Sequence, residues 1–94
     1  MRVRWLPGAS ANLLAIAGYI ARDNPPVARA VLAAIDRQVK RLAAHPNSGR
    51  RGRVRGTREF VVAGTPFIVA YRVAAGEVTI LRVLHGAQQW PEEV

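Results

Sequence analysis

The chain has 94 residues and a net charge of +8, with thirteen arginines and one lysine set against six acids, and it has no cysteine. A length of this order holds one modest core, and without cysteine there is no disulfide framework, thiolate nucleophile or zinc knuckle, which suits a reducing cytoplasm. No stretch approaches the roughly 18 apolar residues of a membrane span and no signal-length apolar run follows the first residues, so the expectation is one soluble cytoplasmic domain over 1–94.

Arginine is the informative part of the charge. Its planar fork pairs bidentately with phosphate or carboxylate and stays charged at any biological pH. The bias therefore favours phosphate backbones or an acidic protein as partner.

In chain order, Val3 and Trp5 alternate with Arg2 and Arg4, which predicts a short strand over Met1 to Leu6 stopped by Pro7 and Gly8. Ser10 is placed to cap a first helix carrying Leu13, Ile16, Ala17 and Ile20 at helical spacing, running to about Arg22. Asn24, followed by Pro25 and Pro26, is the expected N-cap of a second helix. Val31, Leu32, Ile35, Val39 and Leu42 form its apolar stripe, with Asp36 and Lys40 spaced for an i,i+4 pair on the polar face. So short a connection predicts an antiparallel helical hairpin.

The segment Asn47 to Gly56 reads as loop. Three strands follow, Arg58 to Ala63, Phe67 to Val73 and Val78 to His85, separated by hairpin-length turns. The fold class expected is therefore α+β in the order β-α-α-β-β-β, a helical hairpin packed on a small, mainly antiparallel sheet. If Val73 pairs with Val78, strict alternation places Arg72, Ala70, Ile68, Val83 and His85 on one face, and Tyr71, Val69, Phe67, Ile80 and Arg82 on the other.

Gly49 to Arg58 is the most unusual segment, with five arginines (Arg50, Arg51, Arg53, Arg55 and Arg58) and no acid. Its glycines lack the lysine, hydroxyl residue and following helix of a Walker loop. Two readings are open: a solvated linker, or a contact surface for nucleic-acid phosphates or partner carboxylates. Loop arginines bury little, so on the second reading removing Arg50, Arg51 and Arg53 should weaken binding far more than folding.

The two histidines, His45 and His85, cannot make a metal site without grouped carboxylates, so no metal and no cofactor are expected. His45 precedes Pro46 at a helix end, where interaction with the last carbonyls is expected. His85 closes the last strand, where it either acts as a general acid or base or fixes the exit of the chain. Trp5 and Trp90 read as core and rim packing rather than as stacking platforms. No Ser/His/Asp or Cys/His set assembles.

The ordered runs Gly56-Thr57-Arg58-Glu59-Phe60-Val61-Val62, Thr65-Pro66-Phe67-Ile68-Val69-Ala70-Tyr71-Arg72-Val73 and Val78-Thr79-Ile80-Leu81-Arg82-Val83-Leu84-His85-Gly86 resemble the RelE/ParE toxin family. The likeness extends over nearly the whole chain, through Trp5-Leu6-Pro7, Tyr19-Ile20-Ala21, Asn24-Pro25 and the Leu42 to Arg50 junction. It implies a microbial-RNase-like toxin of a bacterial type II toxin–antitoxin (plasmid stabilisation) module, growth-inhibitory and neutralised by a small, often acidic, antitoxin.

Within that family the resemblance implies one of two targets, DNA gyrase or messenger RNA on the ribosome. RNA-cleaving members often carry an arginine three residues before the tyrosine of the penultimate strand, where this chain has Ile68. The Tyr71-Arg72 pair without that arginine is closer to the gyrase-directed branch. For the nuclease alternative, His85 would be the acid or base, with Arg51, Arg53 and Arg82 on RNA phosphates. For either target, Arg50, Arg51, Arg53, Arg55, Arg58, Arg72 and Arg82 are the expected contacts. A non-toxic basic nucleic-acid-binding module is the third alternative.

Overall fold

Arg2, Val3, Arg4 and Trp5 alternate between exposed and half-buried, the period of two of a strand with one face on a core. In the computed structural model, which describes residues 1–88 and 90–91, they form β1 (Arg2–Trp5). Pro7 starts the next element instead of separating it: α1 spans Pro7–Ala21, with the proline in its first turn and extended Leu6 at the cap position. The expected Ser10 cap is thereby corrected. Proline's fixed φ and missing N–H suit a first helical turn, so the helix begins before the serine.

The second helix, α2 (Pro25–Leu42), starts as its sequence indicates, with the Asn24 side chain accepting from the Val27 N–H at 3.2 Å. The Asp36–Lys40 pair forms at 2.8 Å on its exposed face. Ala28, Ile35, Val39 and Leu42 are buried on the other face, together with Gln38. The Gln38 amide gives Nε2–H to the Ala63 carbonyl at 3.0 Å and takes the Ala63 N–H at 2.8 Å. A helix side chain thus completes the hydrogen bonding of a backbone group that has left the sheet. At the C-terminal end of α2 it is the backbone N–H of His45 that reaches the Arg41 carbonyl.

The sheet has five strands in the order β1-β5-β4-β3-β2, adding β2 (Arg50–Arg51), β3 (Arg58–Val61), β4 (Phe67–Ala74) and β5 (Glu77–His85). The two-residue β2 lies within the expected loop. β1 joins β5 in parallel and the remaining pairs are antiparallel. Ala75 and Gly76, both with positive φ (53° and 71°), make the β4–β5 turn, the primed geometry that matches strand twist. Val73 pairs with Val78 as the turn demands.

That register holds only to Tyr71, which pairs with Ile80; the preceding residue, Ala70, pairs with Arg82, leaving Leu81 as a bulge. An extra residue in one strand reverses the facing of everything beyond it. Val83 and His85 therefore lie with Phe67, Val69, Tyr71 and Ile80 on the helix side, and Arg82 lies with Ala70 and Arg72 on the outer side. This corrects the face assignment expected from strict alternation.

The core is the layer between hairpin and sheet. Ile35, Val39, Leu42, Val62, Val69, Tyr71, Val78 and Ile80 are fully or almost fully buried there, with Trp5, Leu13, Ile16 and Ile20 packed against them. No helix among the described residues is long and apolar enough to cross a membrane.

Candidate functional site

The segment from Gly49 to Arg58 is a built loop. Its entry is held by Tyr71, whose fully buried hydroxyl accepts the Gly49 N–H at 2.8 Å and donates to the Pro46 carbonyl at 2.7 Å. Gly49 has to be glycine because a Cβ there would stand 2.6 Å from that hydroxyl. Burial pushes the Tyr71 phenol above its ordinary pKa, against the opposing effects of the Gly49 N–H and the Arg58 charge. The tip closes through the Gly52 N–H on the Thr57 carbonyl at 2.8 Å and the Thr57 N–H on the Val54 carbonyl at 3.1 Å. Gly56, at φ 80°, supplies the left-handed residue this closure requires.

Glu59 organises the arginines. Its side chain is only 3% exposed and carries a carboxylate that receives Arg50 Nη2 at 3.1 Å, the Arg53 backbone N–H at 2.8 Å and Arg53 Nε at 3.0 Å. Burial by itself raises the carboxyl pKa. The hydrogen bonds from Arg53 and Arg50, with the Arg53 charge, outweigh it and hold the group below the ordinary carboxylate value. The Arg53 guanidinium also lies over the Trp90 ring at 3.8 Å from its centroid, a cation–π contact between the loop and a residue beyond β5.

The expectation that Arg50, Arg51 and Arg53 serve binding far more than folding is therefore corrected for Arg50 and Arg53, which are both ion-paired to buried Glu59. Arg58 is also engaged, giving Nη1–H to the Gly49 carbonyl at 2.8 Å. Arg51 and Arg55 remain exposed, with no ion-pair partner among the described residues. Arg51 sits directly across from Arg58 in the β2–β3 ladder. Together with Asn47, Arg53 and Val73, these arginines line an open depression of about 870 Å³ at one end of the sheet.

The other expected contacts lie apart from it. Arg82 is half-buried, bonds the Leu81 carbonyl at 3.0 Å and runs against Gly8 at the start of α1. Arg72 is exposed on the outer face opposite Thr79. His85 pairs with Phe67 at the far end of β4, its ring edge-on to the phenylalanine with centroids 5.7 Å apart. Its Nδ1 accepts the Ala87 N–H at 3.0 Å. The histidine lines a separate apolar groove with Ile16, Tyr19, Ile20, Val31 and Phe67. From Phe67 to Val73 the strand runs about 20 Å at roughly 3.3 Å per residue, so histidine and arginine depression cannot meet on one phosphate.

Two features that build the loop are not legible in the sequence alone. The Tyr71 clamp joins residues far apart in the chain and leaves no local pattern. Glu59 did leave a signal, because it is the one acid directly after five arginines, but its burial beneath them is a tertiary fact.

Residues 3–90 match the family model described as the ParE toxin of the type II toxin–antitoxin system parDE. The Y4kP protein of Sinorhizobium fredii, named as a toxin, is 45% identical over 97% of this chain and 94% of its own length. Toxin RelE2 of Caulobacter vibrioides is 34% identical over 93% of this chain and 97% of its own. Among solved structures, the chromosomal ParDE system of P. aeruginosa superposes with a TM-score of 0.83 at 32% identity, covering 90% of this chain and 95% of that one. The RelBE2 toxin–antitoxin complex of Mycobacterium tuberculosis superposes at 0.65 with 26% identity, covering 89% and 95%. With its helical hairpin on a five-stranded mixed sheet and a family match over nearly its full length, the chain belongs to the ParE toxin family of type II toxin–antitoxin systems.

Proposed function

We propose that this toxin arrests growth by contacting DNA gyrase in the cytoplasm, and that a cognate antitoxin neutralises it by covering the same molecule. The observation that carries the reading is the separation of His85 from the arginines. The histidine is at one end of the helix-side face of the sheet, while the arginine depression is at the other. Cleavage of RNA needs a proton-transfer group within hydrogen-bond reach of the phosphate that the cations hold. Around the arginine depression the nearest carboxylate, Glu59, is already held by Arg50 and Arg53 and kept ionised. A binding surface fits this arrangement better than a catalytic one. The family model and the ParDE neighbour support the same direction, and two structural neighbours from toxin–antitoxin systems support the antitoxin.

The test is DNA supercoiling by purified gyrase with increasing toxin. Loss of supercoiling and accumulation of cleaved DNA are expected, and addition of the antitoxin should reverse both. Unchanged supercoiling at high toxin concentration would remove the reading.

The second reading is a ribosome-dependent messenger RNA endoribonuclease, favoured by the likeness to toxin RelE2 and by Arg51 and Arg55, which have no ion-pair partner among the described residues. New RNA ends mapped by primer extension after induction, with gyrase unaffected, would establish it instead.

A further inference from the structure

We propose that the depression lined by Arg51, Arg55, Arg58 and Asn47 binds the phosphate backbone of duplex DNA, so that the toxin grips DNA as well as protein when it acts. The inference deepens the gyrase reading, on which it rests for the source of the duplex.

Three observations carry it. Arg51 and Arg58 face each other directly across the β2–β3 ladder, an arrangement of like charges that weakens a sheet. No described acid relieves it, since Glu59 is engaged by Arg50 and Arg53 and Asp23, Asp36 and Glu77 belong to other parts of the fold. Second, the loop that presents Arg55 is closed by the Gly52–Thr57 and Thr57–Val54 hydrogen bonds. The backbone that carries these cations is therefore ordered before any partner arrives, which lowers the ordering cost of binding.

Third, the lining selects among polyanions. Among the described residues Val73 is the one large apolar side chain that lines the depression, and no aromatic ring lines it. A protein interface is built around buried aromatic and aliphatic anchors, and single-stranded nucleic acid is held by stacking on aromatic faces. Neither is available here: Tyr71 is fully buried and the Trp90 ring is covered by Arg53. A polar, open, cation-lined surface without stacking platforms fits the outside of a double helix, whose regularly spaced phosphates it can neutralise.

The experiment is fluorescence anisotropy of the full chain with a labelled duplex of about 20 base pairs of arbitrary sequence, repeated over a series of salt concentrations. Arg51→Ala/Arg55→Ala is compared with Arg22→Ala/Arg29→Ala, which removes the same charge from the exposed helical hairpin. Thermal melts confirm that both variants fold. The first pair should weaken binding about tenfold at low salt and flatten the plot of log affinity against log salt by about 1.8, near 0.9 for each lost phosphate contact. The helix pair should leave that slope nearly unchanged. Equal losses in the two variants would overturn the site, and so would a wild-type chain bound by polyglutamate but by no duplex. If gyrase is poisoned while no duplex is bound, this inference fails and the gyrase reading survives. If the duplex is bound through Arg51 and Arg55 while gyrase is unaffected, the site survives and the gyrase reading fails.

Discussion

Glu59 and Arg53 are joined at two points of the same residue: the carboxylate Oε2 takes the Arg53 backbone N–H at 2.8 Å and its Nε–H at 3.0 Å. The acid is buried and the guanidinium half-exposed, at 3% and 47%. One carboxylate thereby fixes both the path of the loop and the direction of an arginine, and Arg50 completes its coordination.

Glu59→Gln keeps the shape but removes the charge that holds both arginines. Because their side chains are about half in solvent, screening limits the loss to about 1–2 kcal/mol, well under that of a fully buried pair. Chemical denaturation should show this loss, together with weaker protection of the Arg53 amide from hydrogen exchange. A variant as stable as the parent would show that the pair contributes only to loop direction.

The same carboxylate sets an acid limb. Its pKa in the folded chain is held below that of a free glutamate, so its contribution is complete above the unfolded value and disappears as the pH falls through the lower folded value. Denaturation midpoints measured between neutral pH and pH 2 should fall more steeply for the parent than for Glu59→Gln, and the two curves should converge in acid. Parallel curves would contradict the assignment.

Tyr71→Phe removes a hydroxyl that serves two backbone groups, the Gly49 N–H and the Pro46 carbonyl. Leaving buried polar groups unpaired costs about 1–3 kcal/mol, read as a lower melting temperature. The loop should loosen with it, so arginine-dependent binding should fall although no arginine has changed.

Ala75 holds a left-handed conformation at φ 53° beside Gly76. Glycine adopts it without the Cβ clash, so Ala75→Gly should stabilise the chain by about 0.5–1 kcal/mol. Thermal melting should rise by roughly 4 °C for a domain of this size. An unchanged or lower melting temperature would mean that the entropy added to the unfolded chain offsets the relieved strain.

His85→Ala separates the two targets in living cells. The ring packs on Phe67 and is remote from the arginine depression, so growth arrest on induction should persist at an unchanged level. Loss of arrest from a variant that still folds would favour the nuclease reading.

The sequence by itself determined what depends on neighbours in the chain. Asn24 before two prolines defined the start of α2, Asp36 and Lys40 formed their pair, and the turn at Ala75-Gly76 set Val73 against Val78, because caps, helix turns and hairpins are closed by residues a few positions apart. The ordered runs through β3, β4 and β5 likewise carried the family. Only the tertiary structure decided the rest. The Leu81 bulge turned His85 and Val83 to the helix side, and a slip of one residue leaves no trace in strands apolar on both faces. Whether five successive arginines are free or engaged depends on where Glu59 and Tyr71 are buried. Packing answered that by engaging Arg50, Arg53 and Arg58 and leaving Arg51 and Arg55 facing solvent.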